Sequence, residues 1–151
     1  MIKAVIDTNV LVSAFWTGNR LSPTVRIANA IAHDGFTPVY SPEMISEYRE
    51  VLSRTKFNFS ADEVNALVNH IVAKGELAEP ADVDAHFPDP KDKVFYCTAF
   101  AGDAHLVTGN MKHYPRGDFI VTPAQFCEIG AVLRDCGDLT STSNDFKEKR
   151  R

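Results

Sequence analysis

Asp7, Glu47, Asp89 and Asp92 are the residues through which this chain of 151 residues can do chemistry. Asp7 follows the apolar run Ala4-Val5-Ile6 and precedes the short polar pair Thr8-Asn9. Glu47 lies in a segment opened by Ser41-Pro42, and Asp89-Pro90-Lys91-Asp92 sets two acids three positions apart. Thr108-Gly109-Asn110 closes a later apolar run. Carboxylates are hard oxygen donors. Two or three suffice for Mg²⁺ (or Mn²⁺), which prefers octahedral oxygen ligands and keeps several waters. Two such ions about 3.5–4 Å apart can activate a water and stabilise the leaving oxygen in phosphodiester cleavage. Carboxylates held together without a cation repel one another.

Each residue also has a plain structural reading. Asp7 suits the cap of a following helix. Glu47 can be a solvated helix charge. By helix geometry it lies about 40° around from Val51, at the edge of an apolar stripe of Ile45, Tyr48, Val51 and Leu52, with Glu43 and Glu50 pointing further out. Asp89 before Pro90 suits an N-cap, and Asp92 then completes a capping box. Both acids also favour the positive end of the helix dipole. Asp92 shares a face with Phe95 and Ala99, so its carboxylate can border a cleft. Gly109 allows a sharp turn, and Asn110 can offer a carbonyl oxygen or cap a turn. Taken together, the acids say more than any one of them.

The elements that must position these residues alternate. Ala4–Ile6 reads as a buried strand, and a helix starts within Thr8–Val12. A second helix spans about Ser22–His33, stopped by Asp34-Gly35. Phe36–Tyr40 is a strand. Ser41-Pro42, a hydroxyl cap with proline in the first turn, opens a helix to about Arg54. Another covers Ala61–Lys74, entered through Ser60 and closed at Gly75. Residues 76–88 are an acidic connection with a short strand. Asp89-Pro90 opens a helix to about Ala101. His105–Thr108 and Phe119–Val121 are strands, and Pro123–Leu133 is the last helix. This order predicts an α/β fold of three α/β/α layers around a central, mainly parallel sheet. Such sheets bind ligands beyond the carboxyl ends of the strands, where strand order reverses. Residues 1–136 form the predicted domain. Residues 137–151, polar and charged, are expected to be a flexible tail.

Composition narrows the function classes. With 44% hydrophobic residues the chain can bury a core. No apolar run approaches the ~20 residues of a membrane helix, and the start lacks signal-peptide features, so a cytoplasmic protein without a membrane contact is expected. Cys97, Cys127 and Cys136 are odd in number without C-x-x-C spacing, which argues against structural zinc and a disulfide framework. The net charge of −4 argues against a strongly basic nucleic-acid module. A metal site nevertheless needs clustered acids, while basic groups elsewhere (Arg49, Arg54 and Lys56; Lys112, His113 and Arg116) can meet phosphate. No histidines stand at i, i+4, and neither G-x-x-x-x-G-K nor G-x-G-x-x-G occurs. A dehalogenase-type phosphatase would need an acid at Asn9, and a receiver domain would need an acidic pair that is missing.

The ordered motifs resemble those of PIN-domain nucleases. Asp7-Thr8-Asn9-Val10 is similar to the first motif. Ser41-Pro42-Glu43-Met44-Ile45-Ser46-Glu47-Tyr48 is similar to the second, with Glu47 as the helix glutamate. Asp89-Pro90-Lys91-Asp92 leading to Phe95 and Ala99 resembles the third, and Val107-Thr108-Gly109-Asn110 the fourth. The likeness spans about residues 2–127 and is closest to the VapC-like toxins of toxin–antitoxin pairs. It implies a Mg²⁺- or Mn²⁺-dependent endoribonuclease, a homodimer, and inhibition by a cognate antitoxin. Asp7, Glu47 and Asp92 would bind metal, with Asp89 as a second-metal or supporting ligand. Asn110 would complete or orient the site, and Thr8 would hold a ligand or water. Many PIN nucleases carry Asp where Asn110 stands. Asn supplies no charge, so the resemblance supports one metal more firmly than two, with Asp89 compensating or His113 contacting phosphate. The other readings are a catalytically impaired RNA-binding module and an antitoxin-binding scaffold.

Overall fold

A computed structural model describes residues 1–129 of the chain. The expected end of the last helix, Cys136 and the tail from residue 137 lie outside the described residues. The elements follow in the order β1 (Lys3–Ile6), α1 (Thr8–Trp16), α2 (Pro23–Ala32), β2 (Thr37–Tyr40), α3 (Pro42–Leu52) and α4 (Ala61–Lys74). Then come β3 (Glu76–Leu77), α5 (Pro90–Ala101), β4 (His105–Val107), a 3₁₀ turn (Met111–His113), β5 (Ile120–Val121) and α6 (Pro123–Ile129).

The strands form one five-stranded sheet in the order β3-β2-β1-β4-β5, and every pairing is parallel. Right-handed crossovers put α1 to α4 on one face, because β1→β2→β3 advances one way. The step from β3 back to β4 reverses direction and carries α5 to the other face, where it packs across β1, β2 and β4. The fold is the expected three-layer α/β/α arrangement. Its strand order reverses between β1 and β4, so the ligand crevice belongs beyond Ile6 and Val107. The central strands are apolar throughout: Ala4, Val5, Ile6, Leu106 and Val107 are buried. Strands covered on both faces need such continuous runs.

Several local expectations change. The stop after α2 falls at Asp34-Gly35 as expected, and its left-handed residue is Asp34 (φ 58°). A short polar side chain tolerates this conformation, and Asp34 Oδ1 also meets His70 Nε2 of α4 at 2.8 Å. Ser41 precedes α3 as expected, yet its side chain caps nothing. Fully buried, Ser41 Oγ pairs instead with Thr98 Oγ1 of α5 at 3.1 Å. On α3 the buried line is Met44, Tyr48 and Leu52, while Ile45 and Val51 flank it half-buried. Residues four apart stack along one face, and α3 packs against α1, α4 and α5. Ser60 does cap α4, accepting from the Glu63 N–H at 3.3 Å. Cys97 and Cys127 are free and buried on helices.

Gly75 closes α4 for a steric reason. A Cβ there would lie 2.4 Å from the carbonyl oxygen of Ile71 and 2.5 Å from that of Pro38. Both are backbone atoms, so neither yields easily. Gly75→Ala is expected to cost about 2–3 kcal/mol, within the range for overpacking, read as a lower urea midpoint at unchanged slope. A midpoint equal to wild type would show that α4 and β2 can separate freely.

Candidate metal centre

The crevice beyond β1 and β4 begins with Asp7. Pairing of the two strands carries the Asp7 N–H onto the Val107 carbonyl at 2.9 Å. Asp7 stands at the cap of α1, but its side chain makes no cap hydrogen bond. The carboxylate is only 5% exposed. Oδ2 accepts from Thr108 Oγ1 at 2.7 Å and from Tyr114 OH at 3.1 Å. Hydrogen bonds to a charged group each contribute about 1.5–3 kcal/mol, which offsets the burial of this charge. Burial, with the negative charge of Asp7 beside it, raises the Tyr114 phenol, so the ring stays a donor.

Glu47 arrives from α3. The next residue, Tyr48, is buried and donates its hydroxyl to the Ile6 carbonyl, immediately before Asp7. That contact pins α3 to the end of β1. Burial, followed by the charges of Asp7 and Glu47, also raises the Tyr48 phenol. Glu47 Oε2 then accepts from Thr8 Oγ1. Thr8, expected to hold a ligand or water, holds this carboxylate.

The third element is the start of α5. Asp89 caps it, accepting from the Lys91 N–H at 3.0 Å. Asp92 does not complete a capping box. Its Oδ2 is buried and has no hydrogen-bond partner. His113 Nδ1 stands 3.5 Å away without hydrogen-bonding geometry. The Asp92 carboxyl is pushed up to about 6. Burial is the largest cause, followed by the charges of Asp7 and Asp89; His113 opposes the shift and Glu47 adds to it.

Asp7, Glu47, Asp89 and Asp92 line one open cleft of about 550 Å³, together with Thr8, Asn9 and Ser46. Glu50 and Arg54 line it too, correcting the expectation that Glu50 points away. The two are joined through Arg54 Nη2 at 2.9 and 3.2 Å. Lys91 supplies a further cation. Asn110 is exposed and outside this lining; its N–H donates to Thr108 Oγ1 at 3.0 Å. Gly109, expected to turn sharply, needs no left-handed backbone. The sequence reading missed Thr108 and Tyr114 as partners of Asp7. Thr108 obeys the rule that selected Asp7, since it too follows a strand at the reversal point. Tyr114 gave no local signal.

Among the described residues no group of three or more acidic, histidine or cysteine side chains is drawn together closely enough to hold a metal ion. Like charges in one cleft repel, and hydroxyls of Thr8, Thr108 and Tyr114 each hold a carboxylate in place. Two observations still fit a small hard dication. The donors are all carboxylates, and a buried Asp92 oxygen lacks a partner. A pH dependence follows. Metal ligation by Asp92 would need its ionised carboxylate, and a proton would compete below about pH 6. Mn²⁺ affinity is therefore expected to fall about tenfold from pH 7.5 to 5, one unit of pKa deficit being a factor of ten. Calorimetric titration at the two pH values measures it, and equal affinities would remove Asp92 from the ligand set.

The model of one family, the PIN domain, matches residues 3–112. No curated protein and no solved structure matches the chain.

Proposed function

The chain belongs to the PIN-domain family, and from that premise we propose that it is a metal-dependent endoribonuclease, the toxin of a toxin–antitoxin pair. PIN domains are generally nucleases and generally use divalent metal ions. The observation that carries the reading is the meeting of Asp7, Glu47, Asp89 and Asp92 in one cleft at the reversal of strand order. RNA as substrate, a cytoplasmic place of action, a homodimer and a cognate antitoxin extend the reading along the resemblance of the motifs to VapC-like toxins. No helix among the described residues is long and apolar enough to cross a membrane.

Asp7, Glu47 and Asp92 would hold Mg²⁺ or Mn²⁺, with Asp89 as a supporting ligand. When bound, such an ion supplies Lewis acidity toward water and phosphate. The protein supplies the positioning. Thr108 and Tyr114 fix Asp7, Thr8 fixes Glu47, and the Asp89 cap fixes the first turn of α5. Orienting partners of this kind typically contribute 10–100-fold in metal affinity or activity. Lys91 at the cleft draws a phosphodiester toward an otherwise acidic site. Asn110 orients the turn below Thr108 through its backbone N–H.

The test is cleavage of a mixed RNA by purified protein with Mn²⁺ or with EDTA, and of single-stranded DNA in parallel. Cleavage of RNA alone, abolished by EDTA, is expected. Cleavage undiminished by EDTA would contradict the metal. RNA binding without cleavage or metal dependence would make the chain the impaired RNA-binding module that Asn110 motivates. Binding of neither RNA nor metal would favour the antitoxin-binding scaffold.

A further inference from the structure

The segment between β4 and β5 has two functional sides. On one, Tyr114 OH donates to Asp7 Oδ2 at 3.1 Å, and His113 Nδ1 faces Asp92 Oδ2 at 3.5 Å. On the other, Met111, Lys112, Tyr114, Arg116, Asp118 and Ile120 line an open groove of about 620 Å³. Tyr114 is buried and lines the groove while its hydroxyl bonds Asp7, so one side chain links groove and carboxylate cleft. Lys112 and Arg116 are exposed, and among the described residues neither has an ion-pair partner. They outnumber Asp118, the groove's single acid. The loop holding them is anchored: the His113 N–H donates to the Asn110 carbonyl at 3.0 Å and the Tyr114 N–H to that of Met111 at 3.2 Å.

The geometry points to this groove as the subsite that grips the backbone phosphates of the RNA strand flanking the scissile bond. This rests on the ribonuclease reading and adds the route of the substrate. The whole chain carries −4 and the cleft collects carboxylates, so a polyanion needs compensating cations close by. Lys112 and Arg116 provide them in the groove that Tyr114, bonded to Asp7, also lines. The groove fits a phosphate backbone better than a protein partner. Protein interfaces centre on packed anchors, aromatic ones above all, whereas the groove's aromatic ring is buried with its hydroxyl committed to Asp7 and its two cations are exposed. Phosphate contacts position a strand and do not read its sequence.

Binding of a short unstructured, dye-labelled single-stranded RNA is followed by anisotropy in EDTA across a range of salt. The doubly substituted K112A/R116A protein is expected to bind about tenfold more weakly. Its log–log salt slope should be smaller by about 1.4, at about 0.7 per lost single-strand phosphate contact. Lys74→Glu, at the opposite end of the strands, changes the net charge by the same two units and leaves both unchanged. With Mn²⁺, the double variant should show a raised KM for RNA at unchanged kcat. Its turnover of bis(p-nitrophenyl) phosphate, which has no flanking phosphates, should stay at the wild-type rate. Equal affinity and slope in wild type and double variant overturn the groove, as does a wild type that binds no RNA. Displacement of the RNA by polyglutamate at equal charge also overturns it, in favour of an acidic protein partner. A wild type that binds RNA through Lys112 and Arg116 but cleaves neither substrate overturns the ribonuclease reading alone and supports the groove.

Discussion

Asp7→Asn is expected to lower the rate of RNA cleavage in Mn²⁺ by at least about a hundredfold while leaving the protein folded. The size follows from losing a charge proposed to face the metal, since even the supporting partners of ligands are worth 10–100-fold. The fold should survive because Asn is nearly isosteric. The hydroxyls of Thr108 and Tyr114, which now donate to Oδ2, can bond the Asn oxygen in the same way. The substitution also removes a charge that is 5% exposed, so stability should hold or rise. Single-turnover cleavage and circular dichroism separate the two effects. A variant that cleaves as fast as wild type would remove Asp7 from the chemistry. A variant that is inactive because it is unfolded would leave its role to be read from Asp7→Glu, which keeps the charge and displaces it.

The second large effect is at Asp92. Asp92→Asn is expected to abolish metal-dependent cleavage and to make the metal-free protein more stable at pH 7.5 by about 1 kcal/mol, a common gain when an unfavourable functional-site charge is removed. For a chain of this length that is a rise in Tm of about 2–4 °C. The sign is set by the raised carboxyl. Its pKa is about 6 in the folded protein against 3.8 for the free group, so the folded state binds the proton more tightly. Ionisation of Asp92 therefore destabilises the fold as pH rises through the window from about 4 to about 6. The advantage of Asn should be fully present above pH 6 and shrink below it, where wild-type Asp92 is already neutral. Thermal melts in EDTA at pH 7.5 and pH 5 test this. Equal Tm shifts at the two pH values would mean that the burial of a charge among other charges is not what Asn relieves.

Much of the fold could be read from residue pattern because its signals are local. Ser60 and Gly75 bracket α4, and Asp89-Pro90 opens α5. Short apolar runs such as Ala4–Ile6 are what a strand covered on both faces requires. The reversal of strand order, once a parallel sheet is assumed, explains why Asp7 and Thr108 meet. What could not be read depends on contacts across the chain. Ser41 has the sequence of a cap, but the packing of α3 against α5 turns its hydroxyl toward Thr98, 57 residues away. Tyr114 reaches Asp7 over 107 residues, and no periodicity reports such a contact. Glu50 was placed outside the cleft from its helical angle alone, whereas Arg54 one turn later gathers it into the lining. The acids were legible as a set for a simpler reason. Four carboxylates on three elements have individual structural uses, but only their order along an alternating chain suggested one crevice.

The central claim is that these carboxylates hold a divalent cation. The most direct measurement is a crystal structure of the protein soaked in Mn²⁺, with anomalous scattering to locate the ion. At least one Mn²⁺ is expected in the cleft, ligated by Asp7, Glu47 and Asp92, with the Asp92 Oδ2 that now lacks a partner among its ligands. An Mn²⁺-saturated crystal with no anomalous peak among these residues, from protein that still cleaves RNA, would contradict it.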